Sequence, residues 1–217
     1  RGRNDTGGIT MYDVVVIGGG PSGATAANDL ALSGFRVAMI DRAGRIKPCG
    51  GAVPPRAISD FDIPDDQLIA KVNTARMVSP TGRRVDIPIE NGFVGMVDRK
   101  DFDPFLRERA ISNGVTSFTG TFRSIERRGD NPSVIYRDKK TGKDKSIRTR
   151  MIIGADGARS NVAKAEVPGG EKINYVIAYH EIIEAPAKSA SYDPLRCDVI
   201  YDGKISPDFY GWVFPHG

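Results

Sequence analysis

Cysteine is scarce in this chain: Cys49 and Cys197 are the only two, and they lie far apart. That excludes the disulfide framework of a small secreted domain and fits a reducing cytoplasm. Histidine is as rare, with His180 and His216 alone, and neither stands at ligand spacing from a cysteine. No metal site is therefore expected. No run of eighteen apolar residues occurs, so no segment reads as a membrane-spanning helix, and no secretory leader pattern is present. Neither charge dominates: 31 Lys and Arg face 27 Asp and Glu, a net +4. The basic residues gather in Arg123–Arg128 and in Arg137–Lys145 without interleaved aromatics. These read as solvated turns, with weak attraction to an anionic membrane as the functional alternative, and nucleic acid is not expected as a partner. Aromatic residues make up only 8% of the chain, so a local cluster of them carries information. What remains is ordinary for a soluble fold: 40% apolar and 27% charged over 217 residues can bury a substantial core.

The strongest signal is near the start. Val14-Val15-Val16-Ile17 reads as a buried parallel strand. Gly18, Gly20 and Gly23 follow at the G-x-G-x-x-G spacing, with Pro21 and Ser22 opening a helix that runs to Leu32 and stops at Ser33-Gly34. Arg36–Ile40 forms a second strand, closed by Asp41 and Arg42. Asp41 lies eighteen residues beyond Gly23, where an acid is expected to hold ribose hydroxyls. A strand, a glycine turn, a helix and an acid after the next strand together define a dinucleotide-binding βαβ unit, but do not separate a flavin from a nicotinamide.

Two later motifs bear on that choice. Met151-Ile152-Ile153 reads as a third parallel strand, followed by Gly154-Ala155-Asp156-Gly157-Ala158-Arg159-Ser160 and a short helix over Asn161–Ala165. The run resembles the Asp-Gly motif of the para-hydroxybenzoate hydroxylase superfamily of flavoproteins. That resemblance places Asp156 and Gly157 near the ribityl and pyrophosphate of FAD; the bland reading is an ordinary Asp-Gly turn. Near the C-terminal end, Tyr210, Trp212 and Phe214 alternate between Pro207 and Pro215. On a strand their rings share one face. This row is either the aromatic side of a core strand or the wall of an apolar substrate site.

Between these motifs stands Lys47-Pro48-Cys49-Gly50-Gly51, whose glycines admit close approach to a flat ring. This run, the Asp-Gly motif and the aromatic row, in that order, resemble the geranylgeranyl reductase family, and the similarity extends from Tyr12 to Pro215. The branch that saturates the geranylgeranyl tail in chlorophyll and bacteriochlorophyll synthesis is the most similar; another acts on archaeal membrane lipids. The resemblance implies FAD as cofactor and NADPH as electron donor. It implies that Gly18, Gly20, Pro21, Ser22, Gly23, Asp41, Arg42, Cys49, Gly50, Gly51, Asp156 and Gly157 contact the flavin nucleotide. Arg99, in Asp98-Arg99-x-x-Phe102, resembles an arginine beside FAD in the superfamily; the alternative is a surface arginine near a helix start. Family members usually carry Lys-Gly-Asp after the last proline, and related flavoproteins have a later Gly-Asp motif. This chain reads His216-Gly217 there, so the 217 residues are expected to be the N-terminal portion of a longer chain.

The expected fold is α/β: a Rossmann-like FAD-binding domain, residues 12–52 and 98–168, interleaved with an incomplete antiparallel-sheet substrate domain, residues 53–97 and 169–217. Residues 1–11 read as a flexible polar tail. Helix is expected over Asp98–Asn113, with Pro104 in a tolerant first turn. Val134–Tyr136 and Ser146–Arg148 flank a Thr-Gly hairpin turn. Strands are expected at Ala75–Val78, Arg84–Ile87, Tyr175–Ile183, Cys197–Tyr201 and Phe209–Phe214.

The leading functional expectation is NADPH-dependent, FAD-mediated reduction of isolated C=C bonds in a geranylgeranylated small molecule. An unpolarised alkene accepts a proton more readily than a bare hydride, and Tyr210 and Trp212 could stabilise the resulting tertiary cation with their ring faces. Cys49, Tyr210 and water are the candidate proton donors, while the bland reading of Cys49 is a small buried spacer. The alternatives are a flavin-dependent aromatic monooxygenase, discriminated by oxygen dependence, and a non-catalytic flavin- or pigment-binding module, discriminated by binding without turnover. The substrate implies peripheral contact with a photosynthetic or plasma membrane, and no protein partner is expected.

Overall fold

The computed structural model describes residues 11–127, 129–187 and 191–217. The expected tail, apart from Met11, and Arg128 lie outside them; Met11 itself opens the first strand. In chain order the elements are β1 (Met11–Ile17), α1 (Pro21–Leu32), β2 (Val37–Asp41), β3 (Ala52–Val53), α2 (Pro55–Asp60), β4 (Ala70–Val72), β5 (Thr74–Val78), β6 (Arg84–Pro88), β7 (Val94–Met96), α3 (Arg99–Ser112), β8 (Thr116–Glu126), β9 (Ser133–Asp138), β10 (Asp144–Gly154), α4 (Asn161–Glu166), β11 (Arg196–Ile200) and β12 (Gly211–Val213).

The chain divides into two compact units. One comprises the chain up to Arg45 and Asp103–Asn174; the other comprises Ile46–Phe102 and Tyr175–Gly217. The chain crosses between the units at 45/46, 102/103 and 174/175, whereas the expected boundaries are 52/53, 97/98 and 168/169. Backbone pairing explains the first shift. Ala52 and Val53 pair with Met96 and Gly95, and Val97 N–H donates to the Gly51 carbonyl at 2.9 Å. The Cys49-Gly50-Gly51 run thus belongs to the second unit.

In the first unit, β1 pairs in parallel with β2 on one side and β10 on the other. Strands β8 and β10, eleven residues each, serve two neighbours apiece. Thr116–Thr119 continue the parallel sheet beside β2, whereas Gly120–Glu126 turn onto β9 in antiparallel register through an irregularity at Phe122/Ser124. β10 runs antiparallel to β9 and then parallel to β1, closing a barrel in the order β1-β10-β9-β8-β2. Val15 and Val16 point to opposite sides of β1 and both are fully buried, each stabilising the fold by roughly 1.5–3 kcal/mol. Val15 and Ile17 join Ile40, Val134 and Tyr136 in one cluster. The β9–β10 hairpin forms where expected. Arg123, expected in a basic loop, is instead an exposed residue of β8, and Arg127 pairs with Glu166.

One local expectation about a helix is corrected. Helix α3 starts at Arg99, so Pro104 lies inside it and not in its first turn; the ring leaves the Lys100 carbonyl without its usual i+4 donor. Phe102, Leu106 and Ala110 are nevertheless buried along one stripe.

The second unit holds a four-stranded sheet, β12-β11-β5-β6, and a three-stranded sheet, β3-β7-β4. The larger sheet is mixed, not purely antiparallel, because β11 runs parallel to β5. Its β5–β6 pair carries a bidentate Arg76–Asp86 ion pair at 2.6 and 2.7 Å. Met96 and Cys197 pack with Val72 in a buried cluster that also receives Phe214. Tyr175–Ile183, expected to be a strand, forms no ladder among the described residues. Its apolar alternation has no partner strand to satisfy the backbone, and Ile177 is 92% exposed.

Candidate functional site

The glycine fingerprint sits where β1 hands over to α1. Gly18 has φ +107°, and its N–H donates to the Ile40 carbonyl at 2.8 Å. A Cβ there would stand 2.2 Å from the Ala155 carbonyl oxygen, so only glycine fits. Gly23 closes on the other side: its Cβ would meet the Gly18 oxygen at 1.9 Å. The fingerprint and the Asp-Gly run, more than 130 residues apart in sequence, are thereby in backbone contact, tied also by Ala155 N–H to the Ile17 carbonyl at 2.7 Å.

Gly20 is the N-cap of α1 and supplies no side-chain cap, with Pro21 at the first helical position and Ser22 exposed beside it. A Cβ on Gly20 would meet nothing within 4 Å. The bare N–H groups of a helix start, carrying the positive end of the macrodipole, face this opening. Asp41 ends β2 and its carboxylate accepts from Gly19 N–H at 2.9 Å and Ala43 N–H at 2.8 Å. Arg42 is exposed. Asp156 holds different partners with its backbone and its carboxylate. Its backbone borders Gly18, but its carboxylate accepts from Asn161 N–H at 2.7 Å and from the Ser160 hydroxyl. With Ser160, which caps Ala163 N–H at 2.8 Å, it fixes the start of α4. Gly157 follows at φ +90°.

These residues fit an FAD. The uncapped start of α1 offers N–H groups to a pyrophosphate, the space at Gly20 admits it, and Asp41 stands at the end of β2 for ribose hydroxyls.

The second unit brings together the other predicted residues. A Cβ on Gly50 would stand 2.9 Å from Phe214 Cδ2 and 3.1 Å from Trp212 Nε1, so the Cys-Gly-Gly run lies against the aromatic row. Gly51, at φ +77°, passes so close to Val97 that a Cβ would meet its carbonyl oxygen at 2.4 Å. Only Gly211–Val213 is regular strand; Tyr210 and Phe214 flank it, and Pro207 lies outside it. Tyr210 meets Trp212 edge to face, with centroids 6.2 Å apart, and stacks on Phe209 at 4.0 Å. Cys49 is an exposed free thiol, not the buried spacer of the bland reading; burial instead pushes the Cys197 thiol up to about 12. Arg99 is the half-buried first residue of α3 in this same unit.

Two neighbours escaped the sequence reading. His180 stacks on Trp212 with centroids 6.2 Å apart and planes 19° from parallel, a contact with no local sequence signal. Arg107 on α3 donates to the Gly19 carbonyl at 3.1 Å. Its place on the helix could have been read from the periodicity, but its target could not.

A parallel βαβ unit, a glycine turn over a bare helix start and an acid after the second strand define a dinucleotide-binding oxidoreductase fold. The chain belongs to the pyridine nucleotide-disulphide oxidoreductase family, whose model matches residues 12–190. It is 64% identical over 206 residues to the geranylgeranyl diphosphate reductase of Rhodobacter capsulatus, an alignment covering 95% of this chain and 52% of that protein. Identity to the chloroplastic geranylgeranyl diphosphate reductase of Arabidopsis thaliana is 37%, over 93% of this chain and 45% of the relative. The chain spans about half the length of these curated relatives. A geranylgeranyl bacteriochlorophyll reductase-like protein from Thermoplasma acidophilum has the same fold, with a TM-score of 0.76 at 24% identity, over 97% of this chain and 55% of that one.

Proposed function

We propose that this chain is part of an FAD-dependent reductase that saturates isolated C=C bonds of a geranylgeranyl chain, carried as the diphosphate or on a chlorophyll-type pigment, with NADPH as electron donor. The observation that carries this reading is the 64% identity to the Rhodobacter capsulatus reductase over 95% of the chain. When bound, FAD supplies the hydride. The chain's own residues then have three tasks. Gly18–Gly23 and Asp41 bind and orient the dinucleotide; Gly50 and Gly51 keep the backbone beside the aromatic row slim; Tyr210, Trp212 and Phe214 form an apolar wall that excludes water from the isoprenoid. The faces of Tyr210 and Trp212 stabilise positive charge on the tertiary carbon beside the one that takes the proton. Among the described residues no helix is long and apolar enough to cross a membrane; peripheral contact with the membrane that holds the substrate is part of this proposal.

The test is product mass spectrometry with the full-length protein, FAD, NADPH and a geranylgeranylated pigment or diphosphate without oxygen. A gain of about 2 mass units per bond supports the reading. No anaerobic change, with a gain of about 16 units in air, would replace it with a monooxygenase.

A further inference from the structure

Gly19 is the position that the G-x-G-x-x-G spacing leaves unspecified, yet the fold leaves it no room. A Cβ there would stand 2.9 Å from Asp41 Cβ and 3.0 Å from Arg107 Cδ. The two side chains that crowd it also bind its backbone, from opposite sides of the residue. Asp41 accepts the Gly19 N–H at 2.9 Å, holding the Gly18–Gly19 peptide. Arg107 donates through Nη1 to the Gly19 carbonyl at 3.1 Å, holding the Gly19–Gly20 peptide. No cis peptide bond occurs among the described residues, so the Gly20 N–H lies antiparallel to the Gly19 carbonyl and points away from Arg107. Both ends of this clamp lie in the first unit. Among the described residues Arg107 forms no ion pair, and the two Asp41 oxygens accept from the backbone N–H groups of Gly19 and Ala43.

We infer that Arg107 is a positioning residue of the nucleotide loop, which with Asp41 locks the peptide groups flanking Gly19 and fixes the direction of the Gly20 N–H that meets the pyrophosphate. The inference rests on the FAD reading of the site above. A glycine-rich loop gains most from such a clamp, because its peptides otherwise rotate at little steric cost. The guanidinium adds a charge-assisted bond to a carbonyl that a neutral side chain would hold more weakly.

The full-length protein tests this with Arg107→Met and Arg107→Lys. FAD affinity is measured by flavin fluorescence, and amide exchange over residues 17–23 by mass spectrometry on the ligand-free protein. R107M is expected to weaken FAD binding about tenfold or more, and R107K to recover part of it, since it keeps a charged donor. Ligand-free R107M should exchange faster at Gly19 and Gly20 while β8 and β9 keep wild-type protection, which a general loosening of the fold would not preserve. Wild-type FAD affinity in R107M overturns the inference. Weakened affinity with unchanged exchange also overturns it, because the arginine then acts on the ligand by charge and not through the loop. If the wild-type protein binds no FAD, the cofactor reading fails, and the exchange comparison alone decides the clamp.

Discussion

Gly50 lies against Phe214, so close that a methyl group on its Cα would stand 2.9 Å from the ring carbon Cδ2. The same methyl would stand 3.1 Å from Trp212 Nε1. Gly50→Ala must therefore push one or both rings aside, at a cost of about 1–3 kcal/mol of stability for an overpacked site. Trp212 is the only tryptophan in the chain, so its fluorescence reports the displacement directly. We expect a shifted emission maximum and a lower denaturation midpoint; wild-type emission would mean that the ring moves freely.

Trp212→Leu keeps an apolar wall but removes the ring face. A desolvated cation–π contact of about 2 kcal/mol corresponds to roughly thirtyfold in rate. Turnover of a geranylgeranyl substrate should fall by that order while substrate affinity changes little. Equal turnover in variant and wild type would remove the cation-stabilising role of the row.

Gly18→Ala places a Cβ 2.2 Å from the Ala155 oxygen at a φ of +107°. Both partners are backbone, so neither can swing away. A loss of about 3 kcal/mol is expected, together with loss of flavin retention. Thermal unfolding and the flavin content of the purified protein measure the two effects separately.

The two cysteines should differ in reactivity. Cys49 is exposed, whereas burial in the Met96 cluster raises the Cys197 thiol to about 12, leaving almost no thiolate near pH 8. A thiol reagent should label one equivalent in the folded protein and two after unfolding. Two equivalents under native conditions would show that the second-unit cluster opens readily.

Asp138 anchors the β9–β10 turn. Lys145 Nζ donates to it at 2.9 Å, and the Thr141 hydroxyl and N–H each donate at 2.7 Å. These bonds, the lysine's foremost, hold its carboxyl at about 2, below the ordinary 3.8. The folded state therefore binds fewer protons than the unfolded state in this interval. The stabilisation is complete above the ordinary carboxylate value and is lost as pH falls toward about 2. Urea midpoints from about pH 5 to pH 2.5 should fall more steeply for the wild type than for Asp138→Asn. Parallel curves would show that the turn does not couple to folding.

Local pattern determined much of this protein. The apolar run of β1, the glycine spacing, the acid at the end of β2 and the Thr-Gly hairpin are short-range features, each set by one element's own periodicity and turn chemistry. They sufficed to foresee the parallel βαβ unit and the third parallel strand at Met151–Ile153. Alternation alone could not make Tyr175–Ile183 a strand, because a ladder needs a partner that one segment does not contain. Tertiary structure alone decided which distant residues share a site. The contact of Gly18 with Ala155 and of Gly50 with Phe214 comes from packing between segments far apart in the chain. Packing also turned the Asp156 carboxylate to the start of α4, which satisfies orphan helix N–H groups. It set Arg107 on Gly19 as well: a helix face is written in the sequence, but the loop that it meets is fixed by the fold.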